Sequence, residues 1–355
     1  TTAILLVLIG HFELISNSSL TYTFYKMGVY GVELFFVLSG FLIGQILIKT
    51  FQKGINFSAI RTFWFRRWLR TLPLFLLVII ARELLLNPMG HFHYLHFLFL
   101  QMTIKPIGYD TMWFGESWSL AVEEWFYICI PFVFVIFQVM KLNSKKILFS
   151  ILGLLASFVV MRYLFLTQSP TPLDYNTGMR IFTPIRLDSI LYGVLLAFIK
   201  VEFGYLYQQL TKFYVFLIAL IVFVILNNWG NLLVYDYQHE KLIPATIGFS
   251  MVSVLFVLLI PYIETSLNVG NFVRKRGIHQ IVTYTSLFSY CIYLIHEPIY
   301  QLVVAASNDF STTWWLQLLI AIAIIYAIAY VCYFYFELPI LKWRDRITAQ
   351  NKKHD

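Results

Sequence analysis

Apolar residues in this chain gather into long unbroken runs, not into the one-sided or alternating patterns of a soluble fold. The runs fall near 3–15, 29–49, 71–86, 117–140, 147–166, 187–200, 213–228, 242–262, 286–306 and 314–338. A helix needs about 20 apolar residues to cross the hydrocarbon core of a bilayer. Several runs are shorter than that, and a short span requires a packed bundle around it. The pattern therefore predicts an all-α fold, a polytopic transmembrane helical bundle of about ten spans. The stretch 91–103 is apolar but short and histidine-rich, and reads as re-entrant or interfacial rather than as a further span.

Composition agrees. Of 355 residues 59% are hydrophobic and only 12% charged, with a mean hydropathy of +0.74, which excludes an ordinary soluble domain. The three cysteines, Cys129, Cys291 and Cys332, are scattered through apolar runs. They offer neither a disulfide framework nor metal-ligand spacing, and read as packing residues. No connection is long enough to form a second domain, so the organisation predicted is one membrane domain over 1–346 and a basic tail over 347–355.

The net charge of +8 invites a nucleic-acid reading, but its distribution favours topology. Alternate connections carry Lys49, Lys53, Arg61, Arg66, Arg67 and Arg70, then Lys141, Lys145 and Lys146, then Lys200 and Lys212. The same side holds Arg274, Lys275 and Arg276, and the tail residues Lys342, Arg344, Arg346, Lys352 and Lys353. The opposite side holds Lys26, Arg82, Lys105, Arg162, Arg180, Arg186 and Lys241. By the positive-inside rule both termini are cytoplasmic, and the charge is an orientation signal with no nucleic-acid partner implied.

Five groups of polar residues interrupt the apolar runs. His11, with Glu13 beside it, sits in the first run; an ionisable group there is costly and marks a functional site, and imidazole moves protons near neutral pH. The competing reading is a histidine bonded to a neighbouring helix. Glu33 precedes the small-residue step Gly40/Gly44, which permits close helix approach. Glu33 reads either as a carboxylate in a first helical turn, where the helix dipole favours it, or as a group with a direct role in chemistry. Arg66, Arg67 and Arg70 precede Pro73, which suits a first turn. Arginines beside a helix N-terminus make a phosphate receptor, but the same charges also suit anchoring to lipid headgroups.

The fourth group is Glu116-Ser-Trp-Ser119-Leu-Ala-Val-Glu123-Glu124. Ser119 and Glu123 are four apart and share a helix face, while Glu124 points elsewhere and reads as structural. The alternative is helix capping, with Ser117 or Ser119 bonding backbone N–H groups. The fifth is Tyr293-Leu-Ile-His296-Glu297-Pro298, a His-Glu pair within a span where Pro298 loosens the backbone. Arg186-Leu-Asp188 and Glu337-Leu-Pro339 are lesser cases at helix ends. His91, His93 and His96 lack any acidic or thiol ligand and read as a solvated group, so no metal site is expected.

Taken in order, these segments resemble a known family. Gly31-Val-Glu-Leu-Phe-Phe-Val-Leu-Ser-Gly-Phe-Leu-Ile43 is similar to the second-helix signature of the membrane acyltransferase-3 family. Phe65-Arg-Arg-Trp-Leu-Arg-Thr-Leu-Pro73 resembles its arginine motif, and Trp118-Ser-Leu-Ala-Val-Glu-Glu-Trp-Phe-Tyr127 its Ser-Leu-x-x-Glu motif. Arg186-Leu-Asp-Ser-Ile-Leu-Tyr-Gly193 and Tyr293-Leu-Ile-His296 are similar to later signatures. The resemblance implies an integral membrane enzyme that O-acylates carbohydrates or lipids, with acetyl-CoA as co-substrate and no bound cofactor. It also implies an Arg eleven residues before His11, a position immediately before Thr1. Glu33 replaces the family's usual Asp. No hydrolase-like domain is expected after the last helix, so any extracytoplasmic partner is expected to be a separate protein.

The resulting expectation is an O-acetyltransferase of the bacterial inner membrane. It moves an acyl group from cytoplasmic acyl-CoA to a hydroxyl of a carbohydrate or lipid-linked glycan. His11 is the expected general base and Glu123 the acid that orients it. Arg67 and Arg70 are expected to hold CoA phosphates, with Ser119, Glu33 and His296 as further substrate-binding candidates. A transporter or flippase for a lipid-linked sugar, and a catalytically silent binding relative, are the alternatives.

Overall fold

The computed structural model describes residues 1–15, 21–86, 114–168, 175–228, 243–266, 278–307 and 313–351. Among them every regular element is helical. The histidines at 91, 93 and 96 fall outside the described residues, as do Lys105, Lys241, Arg274, Lys275, Arg276, Lys352 and Lys353 and the segment 91–103.

Among the described residues twelve α-helices follow in chain order: α1 (Thr2–Gly10), α2 (Thr21–Gln52), α3 (Phe57–Leu86), α4 (Ser117–Val139), α5 (Ser144–Gln168) and α6 (Asp188–Glu202). They continue with α7 (Gly204–Leu210), α8 (Phe213–Asn228), α9 (Phe249–Thr265), α10 (Ile278–Ser307), α11 (Trp314–Cys332) and α12 (Leu338–Asn351). Among the described residues six stretches are long and apolar enough to cross a membrane, or seven if the bent pair Thr183–Glu202 and Gly204–Leu210 counts as one. Four of the ten expected spans fall short of that standard. Those at 187–200 and 213–228 become helices of 15 and 16 residues. The apolar half of α3 is bracketed by Arg70 and by Arg82 and Glu83, and the first run breaks at His11. The protein is an integral membrane protein by this set of helices.

Four boundaries differ from expectation. α1 stops at Gly10, and His11–Leu14 form a single 3-10 turn. α3 begins at Phe57, so Pro73 lies inside it rather than in its first turn. The basic residues on 57–70 mask a continuous helix whose proline is tolerated, as in other membrane helices. Likewise α2 begins at Thr21, which places Glu33 well inside the helix and removes any interaction with a helix N-terminus. The last helix also continues through Asn351, into the segment expected as a tail.

The chain forms two compact units. The first comprises Thr1–Gly31, Phe57–Phe97 and Gly277–Asp355, and so holds α1, α3, α10, α11 and α12. In it α1 meets the start of α2 at paired glycines: a Cβ on Gly10 would lie 2.3 Å from the Gly28 Cα. The Thr1 hydroxyl donates to the Val282 carbonyl of α10 (2.7 Å), and the Tyr290 hydroxyl of α10 to the Thr71 carbonyl of α3 (2.8 Å).

The second unit comprises Val32–Asn56 and Leu98–Arg276. Here the small-residue step works as the sequence suggests. A Cβ on Gly40 would lie 1.9 Å from the Ile190 carbonyl oxygen of α6, and one on Gly193 would lie 2.1 Å from the Val37 carbonyl oxygen. Only glycine allows α2 and α6 to cross this closely.

Irregular backbone occurs at π-helical turns over Tyr175–Arg180, Pro244–Gly248 and Tyr333–Glu337. Such turns leave carbonyls without helical partners, and inside a bilayer these need another donor. Arg162 supplies one for the Pro244–Gly248 turn: its Nε donates to the Thr246 carbonyl (2.7 Å), and its Nη1 also reaches the Ile185 carbonyl (3.0 Å) at the end of the 3-10 turn Thr183–Ile185.

Candidate active site

His11 opens the 3-10 turn that ends α1, half-buried, and its ring meets His296 of α10, which is fully buried. The two rings are near-perpendicular at 80°, with centroids 4.6 Å apart. His296 Nε2 lies 3.3 Å from His11 Nδ1. His296 Nδ1 is 2.8 Å from the Tyr293 carbonyl oxygen, and His11 Nδ1 is 3.0 Å from that of Val7. Tyr300 packs edge-on to His296 and its hydroxyl donates to the Leu8 carbonyl at 3.4 Å. Arg82, buried on α3, lies close enough to act electrostatically on His296. All these groups belong to the first unit.

The arginine row lies on the same unit. Arg66 donates to Thr348 Oγ1 (2.7 Å) and pairs with Asp345 (3.1 Å) of α12, so it ties α3 to the last helix. Arg70 lines a shallow groove with Leu69, Pro73, Phe336, Glu337 and Leu341. Arg67 and Arg70 sit in the middle of α3, so the expected phosphate receptor at a helix N-terminus is corrected to a row of arginines along a helix face. Tyr290, which reaches Thr71 beside Arg70, precedes His296 by six residues, a rise of ~9 Å along α10.

In the second unit Glu33 is buried and forms an ion pair with Arg186, and Ser189 Oγ donates to its other oxygen at 2.8 Å. Arg186 also lies over the Phe249 ring at 3.7 Å. Beside this pair Arg162 donates to Asp188 (2.8 Å) and to Ser250 Oγ (2.7 Å). Arg82, Arg162 and Arg186, counted on the outer side by sequence, are all buried side chains. Charge counting does not register such burial, because the acidic partners of Arg162 and Arg186 lie 26 and 153 residues away.

Glu123 accepts a hydrogen bond from the Tyr127 hydroxyl (2.9 Å), and that hydroxyl is 2.7 Å from Ser39 Oγ. Tyrosine has one proton to give, so Ser39 donates to Tyr127 and Tyr127 to Glu123. The hydroxyls of Ser117 and Ser119 donate to the carbonyls of Phe114 (2.6 Å) and Glu116 (3.1 Å), where capping would have them accept from N–H groups. Trp118, between them, carries Arg180 over its ring at 5.1 Å. The structure thus brings His11 to His296, Glu33 to Arg186 and Glu123 to Tyr127. Sequence reasoning missed Tyr127, Tyr300 and Arg82; Tyr127, four residues after Glu123 on one helix face, was the one with a local signal. Among the described residues no group of three His, Cys, Asp or Glu side chains could hold a metal ion.

A membrane helical protein with a paired-histidine centre and an arginine row defines a narrow class, and comparison with known proteins names it. Residues 1–334 match the acyltransferase domain of the acyltransferase-3 family, and the chain belongs to that family of membrane acyltransferases. It is 26% identical to the peptidoglycan O-acetyltransferase OatA of Listeria monocytogenes, over 91% of this chain and 53% of the relative. It is 27% identical to a Bacillus subtilis protein inferred to be a peptidoglycan O-acetyltransferase, over 88% of this chain and 50% of the relative. A Staphylococcus aureus protein inferred to be an O-acetyltransferase is 25% identical over 91% of the chain and 55% of its own length. The chain therefore spans about half the length of these curated relatives. No solved structure gives a significant match.

Proposed function

We propose that this protein is an O-acetyltransferase of a bacterial cytoplasmic membrane, with both termini cytoplasmic. It transfers an acetyl group from cytoplasmic acetyl-CoA to a hydroxyl of a cell-envelope glycan, of which peptidoglycan is the example among its relatives. The observation that carries this reading is the histidine at the broken end of α1, held by a backbone carbonyl at Nδ1. A neutral imidazole donating at Nδ1 has its lone pair at Nε2, which is what a general base requires.

In the reaction, His11 Nε2 takes the acceptor hydroxyl's proton as the oxygen attacks the thioester carbonyl carbon. The tetrahedral intermediate collapses with cleavage of the C–S bond, and the proton passes from the imidazolium to the departing CoA thiolate. Arg67 and Arg70 hold the CoA phosphates; bidentate guanidinium–phosphate bonds suit that task. Glu123, hydrogen-bonded to Tyr127, is a second catalytic candidate, and Ser119, Glu33 and His296 are candidates for substrate binding.

The test uses membranes from cells with and without the protein, supplied with radiolabelled acetyl-CoA. Label should appear on envelope glycan and be lost with His11→Ala at equal protein abundance. Full labelling by His11→Ala would refute the base assignment. Glycan that crosses the membrane without acquiring label would mark a transporter instead.

A further inference from the structure

The acyl-transfer scheme needs something to hold the base in one tautomer and one orientation, and in a Ser-His-Asp triad a carboxylate does so. We infer that in this protein His296 is that positioning residue, an inference that rests on reading His11 as the general base. The direction of each hydrogen bond follows from elementary valence. The Tyr293 carbonyl can only accept, so His296 Nδ1, 2.8 Å away, carries the proton. A neutral ring protonated at Nδ1 presents a lone pair at Nε2. That lone pair faces His11 Nδ1 at 3.3 Å, and the Val7 carbonyl faces the same nitrogen at 3.0 Å. His11 Nδ1 therefore carries a proton shared between two acceptors, and its basic atom is Nε2.

The two acceptors do different things. Val7 lies one turn back on His11's own helix, so its carbonyl fixes the tautomer. His296, contributed by α10 with its ring 80° from that of His11, restrains rotation of the imidazole plane. His296 is itself well held. It is fully buried, and Tyr300 packs against it at 89° and reaches back to Leu8, bracing α10 against α1 just before the break. A neutral histidine in this role avoids burying an anion in the bilayer, which is the more expensive choice. When His11 accepts a proton at Nε2, the bond from its Nδ1–H to His296 becomes charge-assisted and roughly twice as strong. That gain exists only as charge develops, so it lowers the barrier without changing donor affinity.

The experiment measures acetyl transfer to envelope glycan from acetyl-CoA for wild type, His296→Leu, His296→Gln and His11→Ala, each with a thermal melt. Leu fills the volume and offers no acceptor, whereas the Gln side-chain carbonyl can accept from His11 Nδ1–H. His296→Leu should lower kcat on the order of 10²-fold, with KM for acetyl-CoA within about 2-fold of wild type. His296→Gln should recover at least about tenfold of that loss. Should the Leu variant fail to accumulate, His296→Ala replaces it. Wild-type kcat in the apolar variant overturns the inference, as does a Gln variant no better than it at equal stability. An inactive His11→Ala beside a fully active His296→Leu defeats the positioning role alone, whereas an active His11→Ala defeats the base assignment beneath it.

Discussion

Replacing Gly40 with alanine should do more damage than any other single methyl group added to the crossing of α2 and α6. The new Cβ would lie 1.9 Å from the Ile190 carbonyl oxygen, where ordinary contact begins at 3.4 Å. Backbone lies on the other side, so the helices must part by about 1.5 Å, the difference between those distances. Ser189 adjoins Ile190 and donates to Glu33 at 2.8 Å. The same separation stretches that bond to about 4.3 Å, beyond hydrogen-bond reach. Overpacking and the lost bond to a charged group together amount to about 2.5–6 kcal/mol. Gly44→Ala meets Ala197 Cβ at 2.8 Å and requires a shift of only about 0.6 Å, which places it near the lower end, about 1 kcal/mol. Gly153, with nothing within 4 Å of its built Cβ, should gain about 0.5–1 kcal/mol from helix propensity when made alanine. Thermal melts of the three variants in one detergent, followed by tryptophan fluorescence, check the order. A Gly40→Ala protein as stable as Gly44→Ala, or a Gly153→Ala protein destabilised like either, would refute the packing argument.

Arg162→Ala should cost about 3–5 kcal/mol, because it strands Asp188 and two carbonyls in the interior; Arg162→Lys should recover only part, since an ammonium cannot meet four acceptors in a plane. A lysine variant with the wild-type melting temperature would show that charge alone suffices. Arg66→Ala breaks a pair whose side chains are 46% and 53% exposed, so it should cost less than about 1 kcal/mol and leave KM for acetyl-CoA unchanged, whereas Arg70→Ala should raise that KM at least about tenfold. Equal effects in the two variants would reduce the row to a diffuse positive field. Glu123→Gln keeps an acceptor for Tyr127, so it should fold normally while losing on the order of 10²-fold in kcat if its charge serves the reaction; unchanged turnover makes Glu123 structural.

The helical class, the glycine crossing and the chemical residue types were legible because each depends on neighbours a few residues apart. Gly40 and Gly44 announce themselves by a spacing of four, and His11 by its cost in an apolar run. Pairings were not legible. Nothing local joins His11 to His296, 285 residues on, or Glu33 to Arg186. The same blindness explains the start of α3, where Arg61, Arg66 and Arg67 look like a cytoplasmic loop but occupy one continuous helix with Pro73 inside it. Hydropathy sees where side chains are apolar; it does not see which polar ones have found partners.

The buried pairing of Arg162 with Asp188 also bears on how the protein is made. A chain delivered N-terminus first presents α5, with its arginine, to the bilayer 26 residues before the matching aspartate has been synthesised. A lone arginine costs about 2.5–3.5 kcal/mol at a helix centre on insertion scales, and Arg162, six residues from the end of α5, disfavours partition into lipid in the same direction by less. Commitment of α5 to the membrane is thereby coupled to the arrival of α6, and Glu33 waits 153 residues for Arg186. These guanidiniums act as assembly checkpoints: a protein that has lost one acid should stall during biogenesis, and its defect should appear first as low abundance of inserted protein rather than as low activity per molecule.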